Sequence, residues 1–172
     1  MKWLLATAKP INQAIEAQAV AHQGQLTKPP GSLGRLEQLA CQLAGLQGEL
    51  KPSLERVMIR VFAADHGVVE EGVSAFPQVV TGEMVKNFSA KGAAITVLAA
   101  SLKADFGVLN LGTLNPLPDL PNVQDQRIAA GTANFCKQAA MTEEQLNSAL
   151  LAGQSAVIEA ISHASQLFIG GE

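Results

Sequence analysis

The sequence has 172 residues, of which 48% are hydrophobic, and its formal net charge at pH 7 is -3. A chain of this length can bury one substantial hydrophobic core. Only 16% of the residues are charged, and the chain has one Trp and no Tyr. The composition therefore indicates no basic surface and few aromatic residues for stacking on bases, and no nucleic-acid partner is expected.

The cysteine and hydrophobicity patterns indicate a reducing, aqueous compartment. Cys41 and Cys136 lie far apart and match no metal-ligand spacing, so two free thiols are expected. The apolar N-terminal stretch is too short for a signal peptide and ends at Lys9 and Pro10. No stretch reaches the length of a membrane span. We therefore expect a cytoplasmic protein without a metal ion and without membrane contact.

Two amphipathic helices are predicted in the first 52 residues. Pro10 suits the first turn of one helix, and Gly24 suits its C-terminal cap. Ser32 is the predicted N-cap of the second helix, which ends near Gly48. The second helix carries a leucine stripe at helical spacing, formed by Leu33, Leu36, Leu39, Leu43 and Leu46. Residues 28–35 (KPPGSLGR) between the helices combine two prolines, two glycines and two cations, which favours one fixed shape.

Residues 57–64 alternate in the period-2 pattern of a strand and end in the turn Asp65, His66 and Gly67. Arg60 interrupts the apolar run, which indicates either a strand near the sheet edge or a face that is only partly covered. In an open α/β sheet, ligands bind beyond the carboxyl ends of the strands. Asp65 and His66 are therefore candidate functional residues, although ordinary turn residues would give the same pattern.

The rest of the chain predicts alternating helices and strands. After a loop over 67–78, Thr81 is the predicted cap of a helix over 82–88, and residues 92–102 suit a helix buried against a sheet. Strands are predicted over 105–112 and, weakly, over 123–130. Thr142 opens a capping box. Its helix presents one apolar face, formed by Leu146, Leu150, Gly153, Val157, Ile161 and Ala164, and a last strand starts at Gln166.

This order of elements predicts an α/β fold with a mainly parallel sheet and flanking helices. Residues 1–52 are expected to form a helical segment, part of a small helical domain. Residues 53–172 are expected to form a partial α/β domain. Because the last strand stops at a glycine pair and an acidic residue, we expect the chain to be part of a longer polypeptide. We also expect an exposed apolar face and sheet edge, which would cause self-association or poor solubility.

Several segments together resemble the nicotinate-nucleotide–dimethylbenzimidazole phosphoribosyltransferase family. The resemblance rests on residues 28–35 (KPPGSLGR), 64–68 (ADHGV), 71–77 (EGVSAFP), 131–134 (GTAN), 141–142 (MT) and 170–172 (GGE). It implies a Rossmann-like parallel sheet beside a small helical domain, and a homodimer. It also implies transfer of phosphoribose from nicotinate mononucleotide to 5,6-dimethylbenzimidazole, which gives α-ribazole 5′-phosphate and nicotinate in cobalamin lower-ligand synthesis, with no cofactor.

The resemblance carries only some site residues onto this chain. Phe76, Pro77 and Met84 match positions around the benzimidazole pocket, and Asp65 and His66 match the neighbouring loop. The start of the phosphate and ribose region is matched by Gly170, Gly171 and Glu172. By the same resemblance, Lys28 and Arg35 are expected to contribute across a dimer interface.

No catalytic residue is assigned within the chain, because the family's general-base glutamate lies beyond these 172 residues. The chain is therefore expected to be an incomplete portion of the enzyme, which can be inactive by itself. The alternative is a non-catalytic module that binds a base or nucleotide without turnover. Asn110 stands where the family often has an aspartate, so a charge is absent at that strand end.

Overall fold

The computed structural model describes residues 2–172, and the chain divides into two compact units, Met1–Leu54 and Glu55–Glu172. Whether the two units are separate folding domains stays a prediction. Within residues 2–172 the α-helices are α1 (Gln13–Gln23), α2 (Arg35–Gln47), α3 (Val79–Ser89), α4 (Ala94–Ser101) and α5 (Glu143–Ser162). The strands are β1 (Val57–Ala64), β2 (Asp105–Gly112), β3 (Val123–Asp125) and β4 (Leu167–Gly171), and short 3-10 helices cover Lys2–Leu5 and Gly67–Glu71.

The first unit is a pair of packed helices. Helix α1 begins after Asn12, whose side chain accepts the Ile15 N–H, so the helix starts later than Pro10. Helix α2 begins after Gly34 and not after Ser32, because Ser32 lies in a preceding turn. Small residues on α2 form the contact, namely Cys41, Ala44 and Gly45. Most of the predicted leucine stripe is instead exposed, as Leu33, Leu36, Leu39 and Leu46 show.

The second unit is a parallel sheet with the strand order β3-β2-β1-β4, which confirms the predicted α/β class. The chain passes from β1 to β2 and β3 on one side and then crosses to β4 on the other. This reversal beside β1 is the topological switch point, where ligands bind in open α/β sheets. None of the helices described over residues 2–172 is long and apolar enough to cross a membrane.

Several predicted boundaries differ from the structure. The loop over 67–78 contains the 3-10 helix Gly67–Glu71, and α3 begins after Gln78, so Thr81 lies inside the helix. Strand β3 is only three residues long because residues 126–130 leave the sheet. The early start of α3 is compatible with Pro77, since proline is well tolerated just before and within a first helical turn.

The predicted apolar face of α5 does not form its buried side. The residues that are buried are the alanines Ala152, Ala156 and Ala160, whereas Val157 and Ile161 are exposed. Helix α4 is likewise buried through Thr96 and Ala99 and leaves Val97 and Leu98 exposed. Small side chains let a helix approach the strands closely. The apolar residues on the opposite sides are therefore left at the surface.

Arg60 lies in β1, next to the edge strand β4, but its guanidinium does not reach solvent. It is only 4% exposed and pairs with Asp105 at 3.0 Å and Glu159 at 2.9 Å. Its guanidinium is therefore neutralised by two carboxylates instead of reaching solvent at an edge.

The capping box of α5 is present as predicted. The Thr142 hydroxyl accepts the Gln145 N–H, and the Gln145 side chain accepts the Thr142 N–H. Thr142→Ala is expected to lower the free energy of unfolding by about 1 kcal/mol, because a first-turn N–H loses its partner. Urea denaturation measures this. Thr142→Ser keeps the hydroxyl and should stay close to the parent, and an equal loss in both variants would contradict the capping role.

Strand β4 pairs with β1 on one side and has no second neighbour among residues 2–172. Ile169 of this strand is exposed. Such an edge can pair with another chain. Self-association therefore stays our prediction, and light scattering over a concentration series measures it; a stable monomer at every concentration would contradict it.

Candidate functional site

The turn that follows β1 is held by two distant segments of backbone. The Asp65 N–H donates to Gly112 O at 2.9 Å, at the end of β2. Thr132 N–H donates to Asp65 O at 3.0 Å, and Gly67 N–H donates to Thr132 O at 2.9 Å. The turn is therefore fixed at the carboxyl edge of the sheet by the loop around Thr132.

A cavity of about 360 Å³ opens beside this turn. Its lining residues are Ala64, Asp65, His66, Val68, Val69, Val73, Ser74, Phe76, Pro77, Gln78, Val80 and Thr81. The volume lies within the range of small-molecule sites, and valines with one aromatic ring give it an apolar lining. Phe76 is 68% exposed, so its ring is accessible to a bound molecule.

The segment that carries Phe76 has a defined conformation. Ser74 Oγ accepts the Phe76 N–H at 3.2 Å and donates to Phe76 O at 3.0 Å. Pro77 follows and fixes its own backbone φ angle. These restraints limit the entropy lost when a ligand orders the loop.

His66 and Asp65 have different surroundings within the site. His66 is exposed, its Nδ1 lies 3.3 Å from Thr132 Oγ1, and its carbonyl accepts a hydrogen bond from Gln78 Nε2 at 3.1 Å. Asp65 is only 4% exposed, and its Oδ2 accepts the Leu114 N–H at 2.7 Å. His66 therefore presents a polar group to the cavity, whereas Asp65 binds the backbone of the next loop.

Side chains also connect the 3-10 helix behind the cavity to the loop after β3. Lys137 Nζ pairs with Glu70 Oε2 at 2.6 Å, and Asn134 Nδ2 donates to Glu71 Oε1 at 2.6 Å. The hydrogen bond from Lys137, together with one from Asn134, holds the pKa of the Glu70 carboxyl below its usual value. These contacts stabilise the wall that contains Val68 and Val69.

The structure brings Asp65, His66, Phe76 and Pro77 together around one cavity. Met84 is not among the lining residues. It lies on α3 one helical turn beyond Val80, and Val80 does line the cavity.

The residues predicted for the phosphate and ribose region lie along β4. Gly170 pairs with Arg60 and Gly171 with Val61, so these glycines lie beside β1 but short of the turn at Asp65. Glu172 follows them and is exposed. The two glycines form the carboxyl end of β4, which stops opposite Val61, whereas β1 continues to Ala64.

The two cations of the glycine-proline segment belong to the first unit. Lys28 Nζ pairs with Glu37 Oε1 at 2.7 Å, which lowers the pKa of the Glu37 carboxyl, and Glu37 also accepts the Leu33 N–H at 3.2 Å. Lys28 therefore has a structural role in shaping this segment. Arg35 is exposed at the start of α2.

Sequence reasoning missed several lining residues, notably Val69, Val73, Gln78 and Val80. A signal was available for Gln78, since a polar residue between Pro77 and a helix start lies close to any ligand at that turn. The valines carry no such signal because apolar residues usually pack into a core, whether they lie in a loop or a helix. Within residues 2–172, no group of three or more His, Cys, Asp or Glu side chains could hold a metal ion.

Comparison with known proteins gives consistent results over almost the whole chain. A family model described as phosphoribosyltransferase matches residues 8–172. The nicotinate-nucleotide–dimethylbenzimidazole phosphoribosyltransferase of Pseudomonas putida strain W619 is 55% identical over 170 residues, which are 99% of this chain and 48% of that protein. The protein of the same name from Pseudomonas aeruginosa strain LESB58 is 54% identical over 172 residues, or 49% of its length.

A solved structure agrees with these relatives. The nicotinate-nucleotide–dimethylbenzimidazole phosphoribosyltransferase from Thermus thermophilus superposes with a TM-score of 0.81 at 45% identity, covering 93% of this chain and 50% of that one. The chain thus spans about half the length of the curated relatives it matches. The family match, the relatives and the shared fold together show that this chain belongs to the phosphoribosyltransferase family that includes the nicotinate-nucleotide–dimethylbenzimidazole enzymes.

Proposed function

We propose that this chain supplies the base-binding side of an enzyme that transfers phosphoribose from nicotinate mononucleotide to 5,6-dimethylbenzimidazole. The products are α-ribazole 5′-phosphate and nicotinate. The observation that carries the proposal is the apolar cavity at the carboxyl end of β1, with Phe76 and Pro77 on its wall. Its position beside the topological switch point is where an α/β enzyme binds its ligand.

The chemistry of the cavity suits the acceptor base. Dimethylbenzimidazole is a flat, largely apolar bicycle, which an exposed Phe76 ring and the neighbouring valines can contact. His66 and Gln78 supply polar atoms at the rim for the ring nitrogens. Met84 is proposed to contact the base through movement of its flexible side chain.

The reaction places modest demands on the residues of this chain. A ring nitrogen of the base attacks the anomeric carbon, and nicotinate leaves readily because its ring nitrogen is cationic in the nucleotide. The enzyme has to align the two partners, hold the phosphate and accept one proton. We assign alignment of the base to this chain and the proton to a glutamate outside these 172 residues.

The donor nucleotide is proposed to lie next to the base, along the same edge of the sheet. Gly170 and Gly171 carry no side chains that would obstruct a phosphate or ribose near the end of β4, and Glu172 offers an acceptor for ribose hydroxyls. A homodimer and a cytoplasmic location complete the proposal, and it requires no cofactor.

Phe76→Ala is expected to weaken dimethylbenzimidazole binding by about tenfold, since losing contact with an apolar ring costs on the order of 1.5 kcal/mol. Fluorescence titration of the 172-residue chain with the base measures this. Phe135→Ala is the matched control, because Phe135 is also exposed but is absent from the cavity lining. Equal affinities in the Phe76 and Phe135 variants would contradict the assigned pocket.

Turnover is tested in a chimera that joins this chain to the residues that follow the matched segment of the Pseudomonas putida W619 relative. Formation of α-ribazole 5′-phosphate from nicotinate mononucleotide and the base is the expected result. The intact relative serves as the positive control. Saturable binding of the base by a chimera that forms no product would instead favour the non-catalytic binding module.

A further inference from the structure

Two cavities meet at Asp65. The larger one is the proposed base site, and a second cavity of about 100 Å³ lies on the other side of the same wall. Only Asp65 and Gln78 line both of them among the residues that the structure describes. The far wall of the small cavity is formed by Thr113, Leu114, Asn115, Pro116 and Leu117 of the loop after β2.

The carboxylate of Asp65 connects this loop to the turn after β1. Its Oδ2 accepts the Leu114 N–H at 2.7 Å, while its backbone binds Gly112 and Thr132. Asp65 is only 4% exposed, whereas Leu114, which it binds, is 44% exposed. Removal of the carboxylate would therefore leave the Leu114 N–H without its protein partner and release this part of the loop from the turn after β1.

Leu114 and its neighbour Thr113 are also bound by side chains from other segments of the chain. Arg127 donates from Nε to Thr113 O at 2.8 Å and from Nη2 to Leu114 O at 2.7 Å. Asn110 Oδ1 accepts the Thr113 N–H at 3.0 Å, and its Nδ2 donates to Asp125 at 2.9 Å. An aspartate in place of Asn110 could not donate to Asp125, so the amide suits this network.

We propose that Asp65 is a positioning residue of the base site, acting as a fixed hydrogen-bond acceptor that holds the loop after β2 against the turn containing His66. Its role requires a side-chain oxygen and no transfer of a proton. The inference rests on the proposed function for its effect on binding and turnover. Its structural part, the restraint on Leu114, is independent of any ligand.

The test compares Asp65→Asn with Asp65→Ala in the 172-residue chain. Asparagine keeps an oxygen that can accept the Leu114 N–H, whereas alanine removes it. Loss of one charge-assisted hydrogen bond predicts about tenfold faster hydrogen exchange at the Leu114 amide and about tenfold weaker dimethylbenzimidazole binding in Asp65→Ala. In Asp65→Asn, both values should stay within about threefold of the parent, because the hydrogen bond is retained.

Asp119→Ala is the matched control, because it removes an exposed carboxylate from the same loop. It should leave the exchange rate of Leu114 unchanged. In the chimera, Asp65→Asn should also keep turnover and its pH profile, whereas a proton acceptor at this position would make Asp65→Asn as inactive as Asp65→Ala.

The hydrogen-exchange and turnover results test the positioning role of Asp65 and the proposed function separately. Unchanged exchange at Leu114 in Asp65→Ala, or equal loss of turnover in both Asp65 variants, would overturn the positioning role. A parent chimera that forms no product would count against the proposed function only, and the Leu114 exchange rates would still decide the role of Asp65.

Discussion

Replacing Asp105 and Glu159 together by their amides is expected to lower the free energy of unfolding by about 3 kcal/mol, because a buried guanidinium then loses both of its counter-charges. Arg60 Nη2 lies 3.0 Å from Asp105 Oδ2 and 2.9 Å from Glu159 Oε1. Arg60 itself is only 4% exposed, in the inner strand β1. The double variant Asp105→Asn and Glu159→Gln keeps the shapes of the side chains and removes only their charge.

The surroundings of Arg60 show why its charge depends on these partners. Burial alone would lower the pKa of the guanidinium, but the hydrogen bonds to Glu159 and Asp105 outweigh burial and raise that pKa. Gly107 on β2 makes room for the side chain, since a Cβ there would approach Arg60 Nη1 to 3.3 Å. Two backbone carbonyls, those of Ile59 and Asp105, accept further hydrogen bonds and limit the expected loss.

Urea denaturation of the chain measures this effect, and Arg60→Met provides the informative contrast. Methionine removes the charge together with the need to neutralise it, so Arg60→Met should cost less than the double amide variant. Glu83→Gln is a surface control, because Glu83 pairs with Lys86 on exposed positions of α3 and should change stability by less than about 0.5 kcal/mol. If the double amide variant were as stable as this control, the triad would have no structural importance.

Arg60 also illustrates what the sequence could not reveal. Its partners lie 45 and 99 residues away along the chain, so no local pattern connects them. The strand over 57–64 was predictable because Val57, Ile59 and Val61 alternate along it, and the strand over 105–112 because a short apolar run ends at Gly112. The buried face of α5 was not, because its buried residues are the small alanines Ala152, Ala156 and Ala160, whereas larger apolar residues, which dominate a hydrophobic pattern, lie on its exposed side.

The candidate site was predictable to a similar extent. Asp65, His66, Phe76 and Pro77 were identified through their position after a strand and through family resemblance, and they line one cavity. The attachment of this turn to Thr132 was not predicted, since it joins segments more than 60 residues apart. Backbone hydrogen bonds of this kind depend on tertiary structure and leave little trace in side-chain identity, except where glycine is required.

Gly67→Ala is expected to destabilise the chain by about 3 kcal/mol and to abolish binding of the base, because there is no room for a methyl group at this position. A Cβ on Gly67 would lie 2.6 Å from Asn134 N, 2.7 Å from Ala133 C and 2.7 Å from Thr132 O. All three are backbone atoms, which cannot rotate away as a side chain can. The loop over 131–134 would therefore have to move, with loss of the hydrogen bond from Gly67 N–H to Thr132 O.

Gly72→Ala separates this steric effect from backbone conformation. Gly72 has a φ of +72° but no atom within 4 Å of its Cβ position, so alanine there should cost only about 1 kcal/mol of conformational strain. Gly67 has no positive φ, and its cost arises from the close contact alone. Thermal denaturation and titration with dimethylbenzimidazole, applied to both variants, measure the difference.

A larger loss for Gly67→Ala than for Gly72→Ala, in stability and in affinity together, would support the view that close contact between the two loops builds the cavity. If Gly67→Ala lost stability but bound the base with the parent affinity, the cavity beside the turn would not be the binding site. If it changed neither, the loops would be free to separate, and the fixed geometry of Asp65 and His66 would not be needed for function.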